Sequence, residues 1–151
     1  MFSQVYSKLG IKVPFKILHS SQLMAQSMKG AELKPVKGNF TWHDPCDLGR
    51  HSNVYDPPRE VLRMVPGLRT VEPELTREHT VCCGAGGGLW AYNEDLTDYV
   101  VHQKIMETIP EGVDGVITGC PTCLLSMRNA ARKNRPGLKI YDIAEVVDDC
   151  L

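Results

Sequence analysis

Short apolar runs rich in β-branched residues alternate along this chain with longer stretches whose apolar positions recur at helical spacing, which predicts an α/β domain. Phe15-Lys16-Ile17-Leu18-His19 reads as a first strand, and Ser20-Ser21 is placed to cap a helix running to about Met28. Asn39-Phe40-Thr41-Trp42-His43 reads as a second strand. Asp44-Pro45 then has the form of a helix opening, with Cys46 in the first turn. Pro57-Pro58 opens a short helix from Arg59 to Val65, stopped by Pro66-Gly67. Leu68 to Glu74 is a third strand that Pro73 keeps short or confines to an edge.

Leu89 to Ile109 has helical spacing, with Leu96, Val100, Ile105 and Ile109 among its apolar positions. Asp114-Gly115-Val116-Ile117-Thr118 has the character of a buried strand. It leads into Gly119-Cys120-Pro121-Thr122-Cys123 and a helix to about Lys133. Leu138-Lys139-Ile140-Tyr141 is the last strand, followed by a helix from Ile143 to Asp149. The expected architecture is a small, mostly parallel sheet flanked by helices. Residues 1–151 are expected to form one domain, since no repeat, low-complexity segment or internal boundary interrupts the pattern. Ligands of open α/β sheets collect at the carboxyl ends of the strands, where Cys46 and Cys120 both fall.

Composition narrows the function. Seventeen Lys+Arg against 18 Asp+Glu give a formal charge of -1, which argues against a nucleic-acid partner. No apolar run reaches the roughly 18 residues needed to span a bilayer, so direct membrane insertion is not expected. The first 18 residues lack a continuous apolar core and a small-residue cleavage site, so a signal peptide is not expected either. The expected compartment is the cytoplasm, with any membrane association made through partner subunits.

Of the six cysteines, five are set out as C, CC and CxxC on three segments: Cys46, then Cys82-Cys83, then Cys120 and Cys123. Cysteine clusters without export features are more often metal-binding or redox-active than disulfide frameworks. A zinc ribbon ordinarily brings two close CxxC hooks, and this chain has one hook plus a vicinal pair. Adjacent cysteines suit a single tetrahedral ion poorly, whereas an inorganic core of several irons can use both. The glycines of Cys83-Gly84-Ala85-Gly86-Gly87-Gly88 let backbone amides approach cluster sulfides, which makes Gly84 and Gly86 candidate cofactor-binding positions. The residues therefore favour an iron–sulfur centre. Structural zinc stays open, as does thiol exchange at the CPTC pair; a phosphate loop is a weak alternative, because no Lys-Ser/Thr follows the glycines.

Four segments together carry a family resemblance. His43-Asp44-Pro45-Cys46-Asp47-Leu48-Gly49-Arg50, Tyr55-Asp56-Pro57-Pro58-Arg59, Cys82-Cys83-Gly84-Ala85-Gly86-Gly87-Gly88 and Gly119-Cys120-Pro121-Thr122-Cys123 resemble the CCG cysteine-rich domain. That domain occurs in heterodisulfide reductase catalytic subunits and in iron–sulfur subunits of glycolate, lactate and glycerol-3-phosphate oxidoreductases. The resemblance covers the chain from about Phe15 onward. It implies a noncubane [4Fe-4S] cluster ligated by Cys46, Cys82, Cys83, Cys120 and Cys123, with Cys82 and Cys83 as the candidate catalytic pair. It further implies thiol/disulfide redox chemistry carried out with other subunits: one bearing a second CCG motif, and a ferredoxin-like or flavin electron donor. Alternatively it implies an electron-transfer module between a flavoprotein dehydrogenase and quinone. The catalytic subunits of the family carry two such motifs and this chain carries one, so it resembles their C-terminal half.

Around the motif, Arg50, His51 and Arg59 are candidates to hold an anionic substrate or to tune the centre, or form an ordinary polar face. His43 is a candidate hydrogen-bond donor to a cluster sulfur, or a strand-end histidine bonded to backbone. Trp42 and Trp90 are expected to shield the site or fill the core. Cys150 lies outside the motif and is expected to be a bystander.

Overall fold

A computed structural model describes residues 5–151. In chain order the elements are α1 (Val5–Lys8), α2 (Ser20–Ser27), β1 (Gly38–Trp42), α3 (Asp56–Met64), β2 (Leu68–Thr70), α4 (Leu89–Tyr92), α5 (Glu94–Gln103), β3 (Gly115–Thr118), α6 (Pro121–Asn134), β4 (Lys139–Asp142) and α7 (Ile143–Cys150). Two π-helical segments, Asp47–His51 and Lys104–Thr108, and a 3-10 turn, Arg77–His79, lie between them.

The sheet has the order β2-β1-β3-β4, and every pairing is parallel. The registers Phe40↔Gly115 and Gly115↔Lys139 bring the carboxyl ends of β1, β3 and β4 to the same side. Because successive strand residues face opposite ways, each strand feeds two cores. Trp42 and Ile117 pack with Val61, Leu62, Ile143 and Val146 from α3 and α7. Val116 and Ile140 pack on the other face with Val101, Met127 and Ala130 from α5 and α6, and Cys83 and Cys123 belong to this second core.

The sequence-based plan holds for the sheet and for most helices. One predicted strand is absent: Phe15 to His19 pairs with nothing, and Phe15 is 65 % exposed. A strand needs a neighbouring ladder, and this segment leads instead into the cap of α2. There His19, rather than Ser20-Ser21, is the capping residue, its Nδ1 accepting from the Ser21 amide at 3.2 Å. β2 ends at Thr70, as the proline at position 73 requires, and it is an edge strand.

The helix foreseen over Leu89 to Ile109 is divided. Asn93 leaves helical geometry and caps α5 by accepting from the Leu96 amide at 2.9 Å, and the register slips into the π-helical segment at Lys104. Asp44 is not a helix cap either. Its carboxylate is taken by Trp42, Arg59 and the Arg77 amide, and Cys46 enters the π-helical turn directly, its carbonyl accepting from the His51 amide at 3.1 Å.

Candidate metal centre

Two central strands deliver cysteines to the same end of the sheet. β1 ends at Trp42 and its continuation carries Cys46; β3 ends at Thr118 and leads through Gly119 to Cys120. Pro121 starts α6 at its first position, where a missing amide hydrogen costs nothing, and Cys123 occupies the same first turn. The 14-residue α6 directs the amides of its first turn at the Cys120 thiol. Cys120 is lowered to about 6: a hydrogen bond from Cys123 outweighs burial, and the backbone amides of Cys123 and Thr122 add to it.

The vicinal pair arrives on a loop that is tied down along its length. Arg50 donates from Nη1 to the Thr80 carbonyl at 2.6 Å and to the Glu78 carbonyl at 3.2 Å. Gly84 adopts a left-handed backbone (φ +75°), and a Cβ there would stand 2.6 Å from Val100 Cγ1. Only glycine permits this close approach of the loop to α5. The Gly84 amide in turn donates to Cys82 Sγ at 3.4 Å, and the Gly84 carbonyl accepts from Thr97 Oγ1 at 3.2 Å. Around Gly86, by contrast, a Cβ would meet nothing within 4 Å, so the loop backbone is open there.

The structure thus brings four thiols into one connected set. Cys123 Sγ donates to Cys83 Sγ at 3.2 Å, and both are buried. Hydrogen bonds from Cys123 and Cys82 hold Cys83 far towards its thiolate, while Cys82 and Cys123 are held towards the thiol by the same shared protons and by burial. Cys46, half-buried, is a neighbour of Cys82, and among the described residues no hydrogen bond joins it to another sulfur. Cys150 is on the opposite core, fully buried, donating to the Val147 carbonyl at 3.1 Å. Among the described residues, no three His, Cys, Asp or Glu side chains converge as ligands of a single metal ion.

Among the described residues, Thr41, His43, Thr118 and Ser126 each present a buried side-chain atom with no hydrogen-bond partner, and both ring nitrogens of His43 are such atoms. Burial, reinforced by the charge of Lys104, lowers the His43 imidazole to about 3, so it is neutral. Lys104 itself, 3 % exposed, is pushed down to about 8 by burial, against the pull of Cys123, Cys83 and Cys82. Lys104 has no place in the motif. The trace it leaves in the sequence is a lysine on the apolar stripe that includes Val100, Val101 and Ile105.

Arg59 does not face a substrate. Its guanidinium is 5 % exposed and locked to Asp44, Glu72, Thr76 and the Tyr55 carbonyl. Trp42 is buried in the α3/α7 core and donates to Asp44 at 2.8 Å, so it fills the core; Trp90 packs, partly exposed, against the second core. A cleft of about 520 Å³ opens beside Cys120, lined also by Pro45, Leu48, His19, Gln22 and Asp47.

A soft thiolate set, amides aimed at sulfur, open backbone at Gly86 and unpartnered buried polar atoms all fit an iron–sulfur assembly. Comparison with known proteins agrees with the motif. Residues 40–128 match the CCG cysteine-rich domain family. The chain is 32% identical over 146 residues to a dihydromethanophenazine:CoB–CoM heterodisulfide reductase subunit of Methanosarcina barkeri, covering 95% of this chain and 36% of that one. It is 32% identical over 152 residues to the probable iron–sulfur-binding oxidoreductase FadF of Bacillus subtilis, covering 97% and 21%. With the EtfAB:quinone oxidoreductase of Syntrophomonas wolfei it shares 34% identity over 145 residues, covering 88% and 20%. The chain spans about a third or less of the length of these relatives. The match over residues 40–128, the stretch that holds Cys46, Cys82, Cys83, Cys120 and Cys123, makes this chain a member of the CCG cysteine-rich domain family.

Proposed function

We propose that this chain is an iron–sulfur module of a heterodisulfide-reductase-like oxidoreductase, holding a noncubane [4Fe-4S] cluster through Cys46, Cys82, Cys83, Cys120 and Cys123. The observation that carries the reading is the single connected set made by Cys82, Cys83, Cys120 and Cys123, two of them at the amino end of α6. A heterodisulfide reductase subunit and an iron–sulfur-binding oxidoreductase among the relatives support it. When bound, such a cluster supplies one-electron transfer and thiophilic iron.

The chain's own residues prepare the site. Cys123 and Cys82 donate to Cys83 and keep it a ready thiolate donor; the α6 amides do the same for Cys120. Arg50 and Gly84 fix the loop that presents the vicinal pair. The cleft beside Cys120 gives a sulfur-containing substrate a route to the thiols, with apolar walls from Leu48 and Pro45 and polar groups from His19 and Gln22. Reducing a disulfide takes two electrons and one cluster ordinarily offers one at a time, so the module works with a partner carrying a second CCG motif and with a ferredoxin-like or flavin donor.

A second reading, an electron-transfer module feeding quinone, is supported by the similarity to an EtfAB:quinone oxidoreductase. The two are separated by adding thiol or disulfide substrates to the loaded protein. A perturbed electron paramagnetic resonance signal favours the disulfide chemistry, and an unchanged signal favours the relay.

Purification without oxygen, or reconstitution with iron and sulfide, tests the common core. The expected product is brown, with about four irons and four sulfides per chain. A colourless anaerobic product carrying stoichiometric zinc overturns the reading.

A further inference from the structure

Among the described residues, three side chains that carry formal charge lie in the interior: Asp44, Arg59 and Lys104, exposed by 3 %, 5 % and 3 %. Asp44 and Arg59 satisfy each other through two hydrogen bonds. The Lys104 ammonium has no ion pair and no hydrogen bond among the described residues. A buried ammonium without a counter-charge costs several kcal/mol, and interiors ordinarily replace it.

What Lys104 faces supplies the missing charge. The groups that act on it are, in order, the thiols of Cys123, Cys83 and Cys82, then Asp44, whose carboxylate is already engaged by Arg59, Trp42 and the Arg77 amide. The remaining groups able to carry opposite charge are therefore sulfurs, and Val101 and Ile105, on either side of Lys104, pack in the same core as Cys83 and Cys123. The local backbone is unusual at the same residue: α5 ends and the π-helical segment begins at Lys104, between Val101 and Ile105, which are 1 % and 0 % exposed. Register slips of this kind re-aim a side chain and recur at functional sites.

We propose that Lys104 is a positioning residue that supplies a fixed positive charge behind Cys82, Cys83 and Cys123 and thereby raises the reduction potential of the centre those thiolates hold. The inference rests on the iron–sulfur reading above. Reduction adds one electron, drawn from a chemical titrant such as dithionite, and forms no bond. The added negative charge is stabilised by a nearby cation in a low-dielectric site and loses that stabilisation when the cation is removed.

The test compares the full chain with Lys104→Met and Lys104→Arg after anaerobic loading with iron and sulfide. Lys104→Met is expected to keep its iron and sulfide while its midpoint potential falls by at least about 59 mV, a tenfold change in the one-electron equilibrium. Lys104→Arg is expected to restore most of that shift. Thermal unfolding of the iron-free proteins separates a packing role: the proposal expects Lys104→Met to be as stable as the parent or more so. Loss of iron in Lys104→Met with retention in Lys104→Arg also supports a charge requirement. Equal potentials at equal iron content overturn the role of Lys104 and leave the iron–sulfur reading intact. Equal loss of iron in both variants, with the fold preserved by circular dichroism, overturns it too. A parent protein that holds no iron removes both.

Discussion

Arg59 grips Asp44 with two parallel hydrogen bonds, Nη1 to Oδ1 and Nη2 to Oδ2, each 2.8 Å long. The pair joins α3 to the end of β1 two residues before Cys46, and through the Arg77 amide and Thr80 Oγ1 it also fixes the loop that leads to Cys82. One buried ion pair thus braces two of the three cysteine segments. Its value lies in geometry, because a paired buried charge contributes little net stability while a broken one is costly.

Arg59→Met should therefore destabilise the iron-free protein by about 3–5 kcal/mol in urea unfolding, since Asp44 is left buried without its cation. Unchanged stability would mean that the pair is dispensable.

The same network sets the acid limb of stability. Burial pushes the carboxyls of Asp44 and Glu72 up, but the hydrogen bonds and charge of Arg59 outweigh it, and both end below the usual carboxylate range. Groups lowered on folding contribute stability that is fully present above their unfolded values, about 4, and is lost as pH falls towards the folded ones. Iron-free protein should lose stability as the pH falls from about 4, and Arg59→Met should show a flatter limb over that window. Parallel acid limbs in the two proteins would remove Arg59 as the cause.

Two glycines of the same loop should behave differently. Gly84→Ala forces a side chain into left-handed backbone and into Val100, and is expected to cost roughly 2–4 kcal/mol and to misplace Cys83. Gly86→Ala meets no protein atom and should leave the iron-free fold unaffected. If Gly86 lies against the bound cluster, its variant should still fold and yet hold less iron, which metal analysis beside thermal unfolding would reveal.

Serine at Cys82 or Cys83 should abolish or convert the cluster, because a hydroxyl replaces a soft thiolate poorly. Cys150→Ser should keep iron content and spectrum and cost only about 1–3 kcal/mol of stability, for a hydroxyl placed among Ile143, Val146 and Val147. Equal loss of iron in Cys150→Ser would show that the ligand set is wrong.

Much of the fold is legible in the sequence because strand and helix leave different apolar periods, and every strand of the sheet coincides with such a run. Phe15 to His19 misleads for the same reason: its alternation satisfies a strand's local pattern, but pairing depends on a neighbour, and no edge of the sheet receives it. The division of the 89–109 stretch hangs on Asn93 acting as a cap, a choice that competes on nearly equal local terms with continuing the helix.

The sequence by itself determined the family and the identity of the thiol-bearing segments, because cysteine spacing and glycine placement are local facts written in the chain. Only the tertiary structure decided that Cys83 and Cys123, 40 positions apart, touch, that Arg59 serves Asp44 instead of a substrate, and that Lys104 lies buried facing the sulfurs. Those relationships depend on how β1, β3, α5 and α6 stack. Burial, the property that gives a charge or a thiol its chemistry, is a sum over neighbours distant in sequence.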